Sequence, residues 1–249
     1  MVYKARYNVL YMKSQYVLPI TIVIAGLLIA GAVFLVGSSG AQPAQNGSKV
    51  TARQYDPSKD HILGNPDAPV KVVEYMDLEC PHCKVFNTTM HQIMDYYGAS
   101  GQVAWVERPF PLASIHSKAP KEAEAAECAA DQGGDAMYYK FVDKVFDTTQ
   151  SNNTLDLAQL PTIAQQVGVA NIDQFNQCLS SGKYTKRVND SYAEAIAAGG
   201  QGTPFTLVMV GSDSVVLNGN QPYDSMRAAI DTVLSGLPGG NTTASTTTQ

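Results

Sequence analysis

The chain has 249 residues, of which 45% are hydrophobic and 16% are charged. This composition excludes an intrinsically disordered protein, and the formal net charge of −5 excludes a strongly basic nucleic-acid binder. The charge is unevenly distributed, because the first 36 residues contain Lys4, Arg6 and Lys13 and no acid. All 22 acidic residues follow them with 14 of the 17 basic ones, so the body of the chain has a net charge of −8.

The first predicted element is a membrane-spanning helix over residues 17–36, an uncharged run of 20 residues. A helix of this length is about 30 Å long, which matches the hydrocarbon core of a bilayer. The basic residues precede the run, so residues 1–16 are predicted to be a cytoplasmic leader and the rest to lie outside. The alternative is a signal peptide cleaved near residues 39–41, but the run exceeds the roughly 7–15 apolar residues of such peptides. We favour an uncleaved, single-pass signal anchor in the cell membrane, and either interpretation places the body where disulfides persist.

The body of the chain alternates between strand and helix patterns. Residues 37–59 are polar and rich in small side chains, which predicts a flexible tether, and residues 237–249 are predicted to be a disordered tail. Strands are predicted over residues 70–75, 103–107, 205–210 and 215–217, and helices over residues 81–97, 120–131, 136–146, 161–167, 172–179, 184–196 and 224–234.

This order of elements indicates an α/β fold with an insertion. The strands fall into two groups that are separated by a long all-helical stretch. We therefore predict one α/β domain made of residues 60–111 and 199–236, with a helical subdomain of residues 112–198 inserted between its two parts.

A Cys-Pro-His-Cys motif lies at the junction of the first predicted strand and helix. The two residues between Cys80 and Cys83 let both sulfurs share one helical turn, close enough for a disulfide. Unpaired N–H groups and the macrodipole at a helix N-terminus favour the Cys80 thiolate, Pro81 suits the first turn, and a protonated His82 adds positive charge. We predict that Cys80 is the attacked sulfur and Cys83 the resolving one.

Other uses of this cysteine spacing are less favoured. Haem attachment needs a histidine directly after the second cysteine, where this chain has Lys84. A zinc site would need two more ligands nearby, and Cys128 and Cys178 are isolated from each other. A small structural disulfide is the third alternative, so redox chemistry is the favoured interpretation and no metal site is predicted.

Residues 73–83, with the sequence VEYMDLECPHC, resemble the active-site strand and helix start of the DsbA-like thiol oxidases of the thioredoxin superfamily. The resemblance continues through residues 108–111 (RPFP) and 202–205 (GTPF), and covers about residues 60–235. It implies a thioredoxin-like fold, in which helices flank a mixed central sheet, and an enzyme that introduces disulfides into exported proteins without a separate cofactor.

The resemblance also implies partners and roles for individual residues. The reduced enzyme would be reoxidised by a quinone-linked membrane protein of the DsbB or vitamin K epoxide reductase type, and we expect a monomer with no nucleic-acid partner. Pro204 would be a cis-proline facing the sulfurs, and the backbone of Thr203 would pair with substrate peptide. Glu74 would be a buried acid that helps to move the proton of the inner cysteine. The alternatives are a proline that only starts an edge strand and a glutamate that faces water.

The remaining two cysteines lie on different predicted helices of the insertion. In an oxidising compartment we expect Cys128 and Cys178 to form a structural disulfide, although two free buried thiols are the alternative. Asp77 and Glu79 are expected to be solvated, and Glu79 would slightly oppose formation of the neighbouring thiolate. Three histidines are interpreted as structural or surface residues, namely His61, His91 and His116.

Three rival functions remain open. A reductase or isomerase would use the same fold, although residues 37–59 are too short and polar for the dimerisation domain that isomerases of this superfamily usually carry. A non-catalytic thioredoxin-like module would only bind clients. A metal chaperone would use Cys80, His82 and Cys83 as ligands.

Overall fold

The computed structural model describes residues 52–237. The predicted leader, membrane span, most of the tether and nearly all of the predicted tail lie outside the described residues. Within residues 52–237, none of the helices combines the length and apolar character that crossing a bilayer requires.

The centre of the described structure is a mixed five-stranded sheet. Its strands, in chain order, are β1 (His61–Gly64), β2 (Val70–Met76), β3 (Val103–Pro109), β4 (Phe205–Val210) and β5 (Asp213–Asn218). Their order across the sheet is β1-β3-β2-β4-β5, with β2 parallel to β3 and antiparallel to β4. The central strand β2 is covered on both faces, which explains its almost continuous apolar sequence. The unpredicted strand is β1, because four residues are too few to show an alternating pattern.

Seven α-helices accompany this sheet in the described part of the chain. They are α1 (Pro81–Tyr97), α2 (Ala119–Ala130), α3 (Gly134–Thr148), α4 (Leu160–Val167), α5 (Ile172–Ser181), α6 (Thr185–Ala197) and α7 (Tyr223–Ser235). Helices α2 to α6 all lie between β3 and β4 in the chain, where the sequence predicts an all-helical insertion.

The core has a layer on each face of the sheet. On one face, Val72 and Trp105 pack in the same cluster as Phe86 of α1 and Phe141 of α3. On the other face, Val73 and its neighbours pack with Ala195 of α6 and residues of β4. The end of β2 and the start of α1 are therefore held between packed layers, and this junction carries the cysteine motif.

The segment before β1 is part of the folded domain. The guanidinium group of Arg53 lies 2.8 Å from a carboxylate oxygen of Asp60 and 3.0 Å from one of Glu194 on α6. Asp60 also accepts a hydrogen bond of 2.8 Å from the buried Arg108 of β3. Residues 52–59 are therefore part of the folded domain, and the prediction that they belong to a flexible tether is wrong. Sequence alone missed this because the segment is held by ion pairs and not by an apolar period.

Candidate active site

Cys80 occupies the N-cap position of α1, and Pro81 is the first residue of the helix. The pKa of the Cys80 thiol is lowered to about 5. A hydrogen bond from the Cys83 thiol contributes most, and the side chain of Thr203 and the backbone N–H groups of Cys83 and His82 also lower it, whereas burial acts in the opposite direction. The helix start thus supplies the donors that an anionic sulfur needs, as the sequence predicts. His82 is exposed beside it.

Cys83 lies one turn further along α1 in a different environment. It is fully buried, whereas Cys80 retains 5% of its surface exposed. Burial raises the pKa of Cys83 well above its ordinary value, and the hydrogen bond to Cys80 and the negative charges of Cys80 and Glu74 raise it further. The two thiols are therefore strongly unequal, with the more accessible sulfur favouring the thiolate and the inner sulfur favouring the thiol.

Glu74 points from β2 into the same buried layer. Its carboxylate accepts a hydrogen bond of 3.1 Å from the indole N–H of Trp105 on β3. The pKa of Glu74 is raised to about 8, mainly by burial and also by the charge of Cys80, while the hydrogen bond from Trp105 acts in the opposite direction. Glu74 is thus buried as expected, and it is electrostatically coupled to the cysteine pair.

A second buried acid, Glu107, lies beside Glu74 and was not singled out by the sequence. The two residues are register partners on the parallel strands β2 and β3. Burial raises the pKa of Glu107 well above its ordinary value, and Glu74 and Asp143 raise it further. Its Oε2 atom has no hydrogen-bond partner within residues 52–237. The sequence predicts that Glu107 lies on a strand, but only the pairing of β2 with β3 shows that Glu107 lies next to Glu74.

The Thr203–Pro204 peptide bond is cis, and it precedes β4. The Cys80 thiol donates to the carbonyl oxygen of Thr203 over 3.5 Å. The Thr203–Pro204 bond comes after the helical insertion in the chain, and it lies next to the cysteine motif because β4 pairs with β2. The structure thus brings together Glu74, Cys80, Cys83, Thr203 and Pro204 around one buried centre.

Asp77 and Glu79 are both buried, and the expectation that they are solvated is wrong. Asp77 accepts hydrogen bonds of 2.8 Å from the backbone N–H of Glu79, 2.7 Å from that of Leu112 and 2.9 Å from the ring of His116. The carboxylate oxygens are therefore used inside the protein to shape the loop that leads to Cys80. The polar sequence of this loop predicted that the two acids face solvent. The sequence could not show their burial, because partners such as Leu112 and His116 come from distant segments.

His116 is a buried residue that lies near the cysteine pair. Burial lowers its pKa, but the hydrogen bond to Asp77, the negative charges of Asp77 and Cys80 and a hydrogen bond to Asn152 together outweigh this, so the net pKa is raised. Of the other histidines, His61 is buried between Glu127 and Asp135, and His91 contacts Asp143 at the surface. The structural interpretation of these residues holds, but the position of His116 beside Cys80 has no local sequence signal.

Cys128 and Cys178 form the predicted disulfide, with a Cα–Cα distance of 5.9 Å. The bond joins α2 to α5 inside the insertion. Within the part of the chain that the structure describes, no group of three or more histidine, cysteine or carboxylate side chains is arranged to hold a metal ion.

The comparisons with known proteins agree with this fold. The family model described as Thioredoxin matches residues 56–232, which is more than half of the chain. Among curated proteins, the chain is 31% identical over 179 residues to the Na(+)/H(+) antiporter NhaA 1 of Mycolicibacterium gilvum, covering 71% of this chain and 27% of that protein. A similar match, 32% over 153 residues, covers 61% of this chain and 22% of NhaA 3 of Salinispora tropica. The chain thus spans about a quarter of the length of these relatives.

Two solved structures show the same architecture. Alpha-DsbA1 of Wolbachia pipientis is 26% identical with a TM-score of 0.59, and the match covers 70% of this chain and 89% of that one. BdbD of Bacillus subtilis, in its oxidised form, is 23% identical with a TM-score of 0.65, and the match covers 76% and 100% of the two chains. The chain belongs to the thioredoxin family and has the fold of these DsbA-type proteins.

Proposed function

We propose that this protein is an oxidase that donates a Cys80–Cys83 disulfide to exported polypeptides outside the cytoplasm. The observation that carries the proposal is the position of Cys80 at the N-terminus of α1, where its pKa is lowered to about 5. A stabilised thiolate favours the reduced pair, so the corresponding disulfide is more readily reduced and is the stronger oxidant.

The reaction begins with attack of a substrate thiolate on Cys80, the more accessible sulfur of the pair. A substrate–Cys80 disulfide forms, the Cys80–Cys83 bond breaks, and Cys83 leaves as a buried thiolate. Glu74, whose pKa of about 8 keeps it protonated at neutral pH, supplies the proton that makes Cys83 a thiol. A second substrate thiolate then attacks the substrate sulfur and releases Cys80 as a thiolate. Two substrate thiols are thereby oxidised to one disulfide, and the enzyme pair is reduced.

Substrate peptide would be held by the segment before β4. The carbonyl group of Thr203 lies at the Cys80 sulfur, so an extended peptide bound there presents its own sulfur to the site. The exposed His82 adds positive charge near Cys80 when it is protonated, and Pro81 fixes the first turn of α1. These residues support an open site for polypeptide thiols.

The location and the partner belong to the same proposal and rest on the sequence. The apolar run of residues 17–36 would anchor the enzyme in the membrane with its catalytic part outside. The reduced pair would be reoxidised by a quinone-linked membrane protein of the DsbB or vitamin K epoxide reductase type, so the enzyme needs no cofactor of its own. The ion transport of the antiporters is not proposed for this chain.

The redox potential of the Cys80–Cys83 pair tests the direction of the reaction. Equilibration with glutathione at pH 7, followed by separation of the oxidised and reduced proteins, should give a value between about −180 and −120 mV, the range of oxidising members of the superfamily. A value near −270 mV, which is typical of thioredoxin, would instead establish a reductase.

Trapping of the intermediate tests the roles of the two sulfurs. With an unfolded polypeptide that contains a disulfide, the Cys80 thiolate of Cys83→Ser should attack one sulfur and release the other as a thiol. The resulting mixed disulfide should accumulate because the resolving Cys83 thiol is absent. Cys80→Ser is the matched control and should form far less adduct, since Cys83 is fully buried. Equal trapping by both variants would contradict the assignment, and full activity of Cys80→Ser would favour a non-catalytic binding module.

A further inference from the structure

Two buried carboxyl groups meet at the residue that precedes Cys80. Glu79 is the residue before Cys80, and Glu122 lies in the first turn of α2. Both residues are 0% exposed, and their side chains lie within hydrogen-bonding distance of each other. Within residues 52–237, neither oxygen of Glu122 nor Oε1 of Glu79 has a hydrogen-bond donor from another residue. The contact is therefore carboxyl to carboxyl.

One of these two carboxyl groups must hold a proton. Two touching carboxylates that are shielded from water repel each other, whereas a carboxylic acid donates a strong hydrogen bond to a carboxylate. The pKa of Glu122 is raised to about 9, mainly by burial and then by Glu79 and Asp77, while Lys118 acts in the opposite direction. The N-terminus of α2 favours the charged form by only about 0.3–1 kcal/mol, which is too little to offset burial. Glu122 is thus the protonated partner.

Glu79 in turn holds the loop that follows α3. Its Oε2 atom accepts a hydrogen bond of 2.6 Å from the backbone N–H of Asn153, and its backbone oxygen accepts one of 2.8 Å from Asn152. Ser151, Asn152 and Asn153 have φ angles of 64°, 54° and 66°. Non-glycine residues in this left-handed region cost about 1–2 kcal/mol each, so three in succession need strong partners. The Glu79 carboxylate is one of these partners.

We propose that Glu79 and Glu122 share one proton as a carboxyl pair that positions Cys80, by clamping the loop of residues 151–153 against the residue before it. Both are positioning residues, since neither has surface that a substrate can reach. The proposal goes beyond the oxidase function and stands without it.

The clamp depends on pH in a defined direction. The folded-state pKa of Glu122 is raised, so the shared proton is present at neutral pH and is lost as the pH rises through about 9. Above that pH, two buried negative charges face each other and Asn153 loses its partner. The charged groups that face Glu122 from the packed elements are Glu79 and Asp77 of the loop after β2 and Lys118 before α2.

Hydrogen exchange of the Asn152 and Asn153 amides in the reduced protein tests the clamp. In the wild-type protein, their protection relative to intrinsic exchange should fall about tenfold between pH 7 and pH 10, because a group of pKa about 9 is about nine-tenths ionised at pH 10. Glu122→Gln should keep the protection at both pH values, since an amide donates the same hydrogen bond without a titrating proton. Core amides of β2 should stay protected throughout.

Two control variants separate the clamp from other buried acids. Glu124→Gln changes a buried glutamate on the same helix that pairs with Lys121 and Thr185, and it should retain the wild-type pH dependence. Glu74→Gln removes the acid near Cys83, and this variant should also retain the wild-type pH dependence of the Asn152 and Asn153 protection. An equal loss of protection in Glu122→Gln, or no loss in the wild-type protein, would overturn the proposal.

The reactivity of Cys80 provides the functional measurement. At pH 7, Glu122→Gln should react with a small disulfide within about twofold of the wild-type rate, because the hydrogen bond to Glu79 remains. For each protein, the rate at pH 10 is divided by the rate at pH 7. This ratio should differ between the wild type and Glu122→Gln, because the loop is released at pH 10 only in the wild type. Superimposable profiles of the two proteins from pH 7 to pH 10 would show that the pair does not position Cys80.

Discussion

Burial disfavours the charged forms of Cys80, Cys83 and Glu74, but only at Cys80 do hydrogen-bond donors outweigh it. Cys80 is anionic at neutral pH because donors surround its sulfur, whereas Cys83 stays protonated because burial, the hydrogen bond to Cys80 and the negative charges of Cys80 and Glu74 raise its pKa. Glu74 is held protonated close to neutral pH by the same burial. The three groups are therefore placed so that one carries negative charge and the other two carry protons.

Glu74→Gln should change how stability depends on pH. The folded-state pKa of Glu74 lies above its ordinary value, so the wild-type protein must take up a proton on folding once the pH exceeds about 4.5, and its stability falls as pH rises towards about 8. The variant lacks this group. Its free energy of unfolding, relative to wild type, should therefore increase between pH 5 and pH 8 by up to about 1.4 kcal/mol per pH unit.

Urea denaturation of the reduced proteins at several pH values measures this difference. Glu107→Gln is a useful companion, because Glu107 is also buried beside Glu74 and should shift stability in the same direction. A difference between Glu74→Gln and wild type that stays constant from pH 5 to pH 8 would show that Glu74 is not buried with a raised pKa.

Structural features that depend on local spacing could be predicted from the sequence, such as the helix start at Cys80 and the cis bond before β4. The two residues between Cys80 and Cys83, and a Thr-Pro pair before a strand, are features of adjacent positions. The partners of Glu79 could not be predicted, because Glu122 and Asn153 reach it from α2 and from the loop after α3. The packing of these three residues depends on the tertiary structure, so no periodic pattern in the sequence predicts it.

At the scale of elements, the inserted helices are fastened by the Cys128–Cys178 disulfide. It joins α2, which carries Glu122, to α5 across 50 residues of chain. A cross-link that closes a loop of this length lowers the entropy of the unfolded chain, and the expected stabilisation is about 4 kcal/mol at most.

Cys128→Ala together with Cys178→Ala should therefore lower the free energy of unfolding by about 2–4 kcal/mol. Thermal or urea unfolding, followed by circular dichroism, measures the loss. Because the disulfide lies outside the Cys80–Cys83 centre, the redox potential of that pair should change little in the folded double variant. A large shift in the potential would show that the insertion positions the reactive thiols more directly than the contacts of Glu79 and Glu122 indicate.

The strand and helix pattern predicted most elements but not all of their limits. The central strand β2 could be predicted because it is an almost continuous apolar run, and helix α1 because its apolar residues fall at helical spacing. The short edge strand β1 was not, because its assignment depends on pairing with β3, in which His61 lies opposite Glu107. Edge strands of a few residues take their structure from their neighbour and leave little trace in the sequence.

At the scale of the whole described domain, a buried ion-pair network fastens the N-terminal segment to the sheet and to α6. Asp60 receives hydrogen bonds from both Arg53 and Arg108, and Arg108 also donates to the hydroxyl group of Tyr75. Arg53 reaches Glu194 on α6. The segment thus connects β3 to the helical insertion through charge.

Asp60→Asn should destabilise the domain by about 3–5 kcal/mol, because it leaves the buried Arg108 without its counter-charge. Glu194→Gln is the matched control: its carboxylate is partly exposed, and its loss should cost less than about 1 kcal/mol. The lowered pKa of Asp60 also means that its stabilisation is present above its ordinary pKa and is lost as the pH falls through the folded value. Similar unfolding energies for the two variants near pH 7 would contradict a structural role for Asp60.

The distance along the chain between Cys80 and Thr203 has a consequence for how the site is made. The contact between them spans 123 residues, and β4 must pair with β2 before it can form. Closing an open loop of that length costs about 4 kcal/mol of chain entropy, and helices that pack within the insertion shorten the gap. A growing chain that lacks β4 therefore carries both cysteines but not the finished site. The Cys80–Cys83 pair can therefore reach its full reactivity only after the ribosome has synthesised the helical insertion and β4.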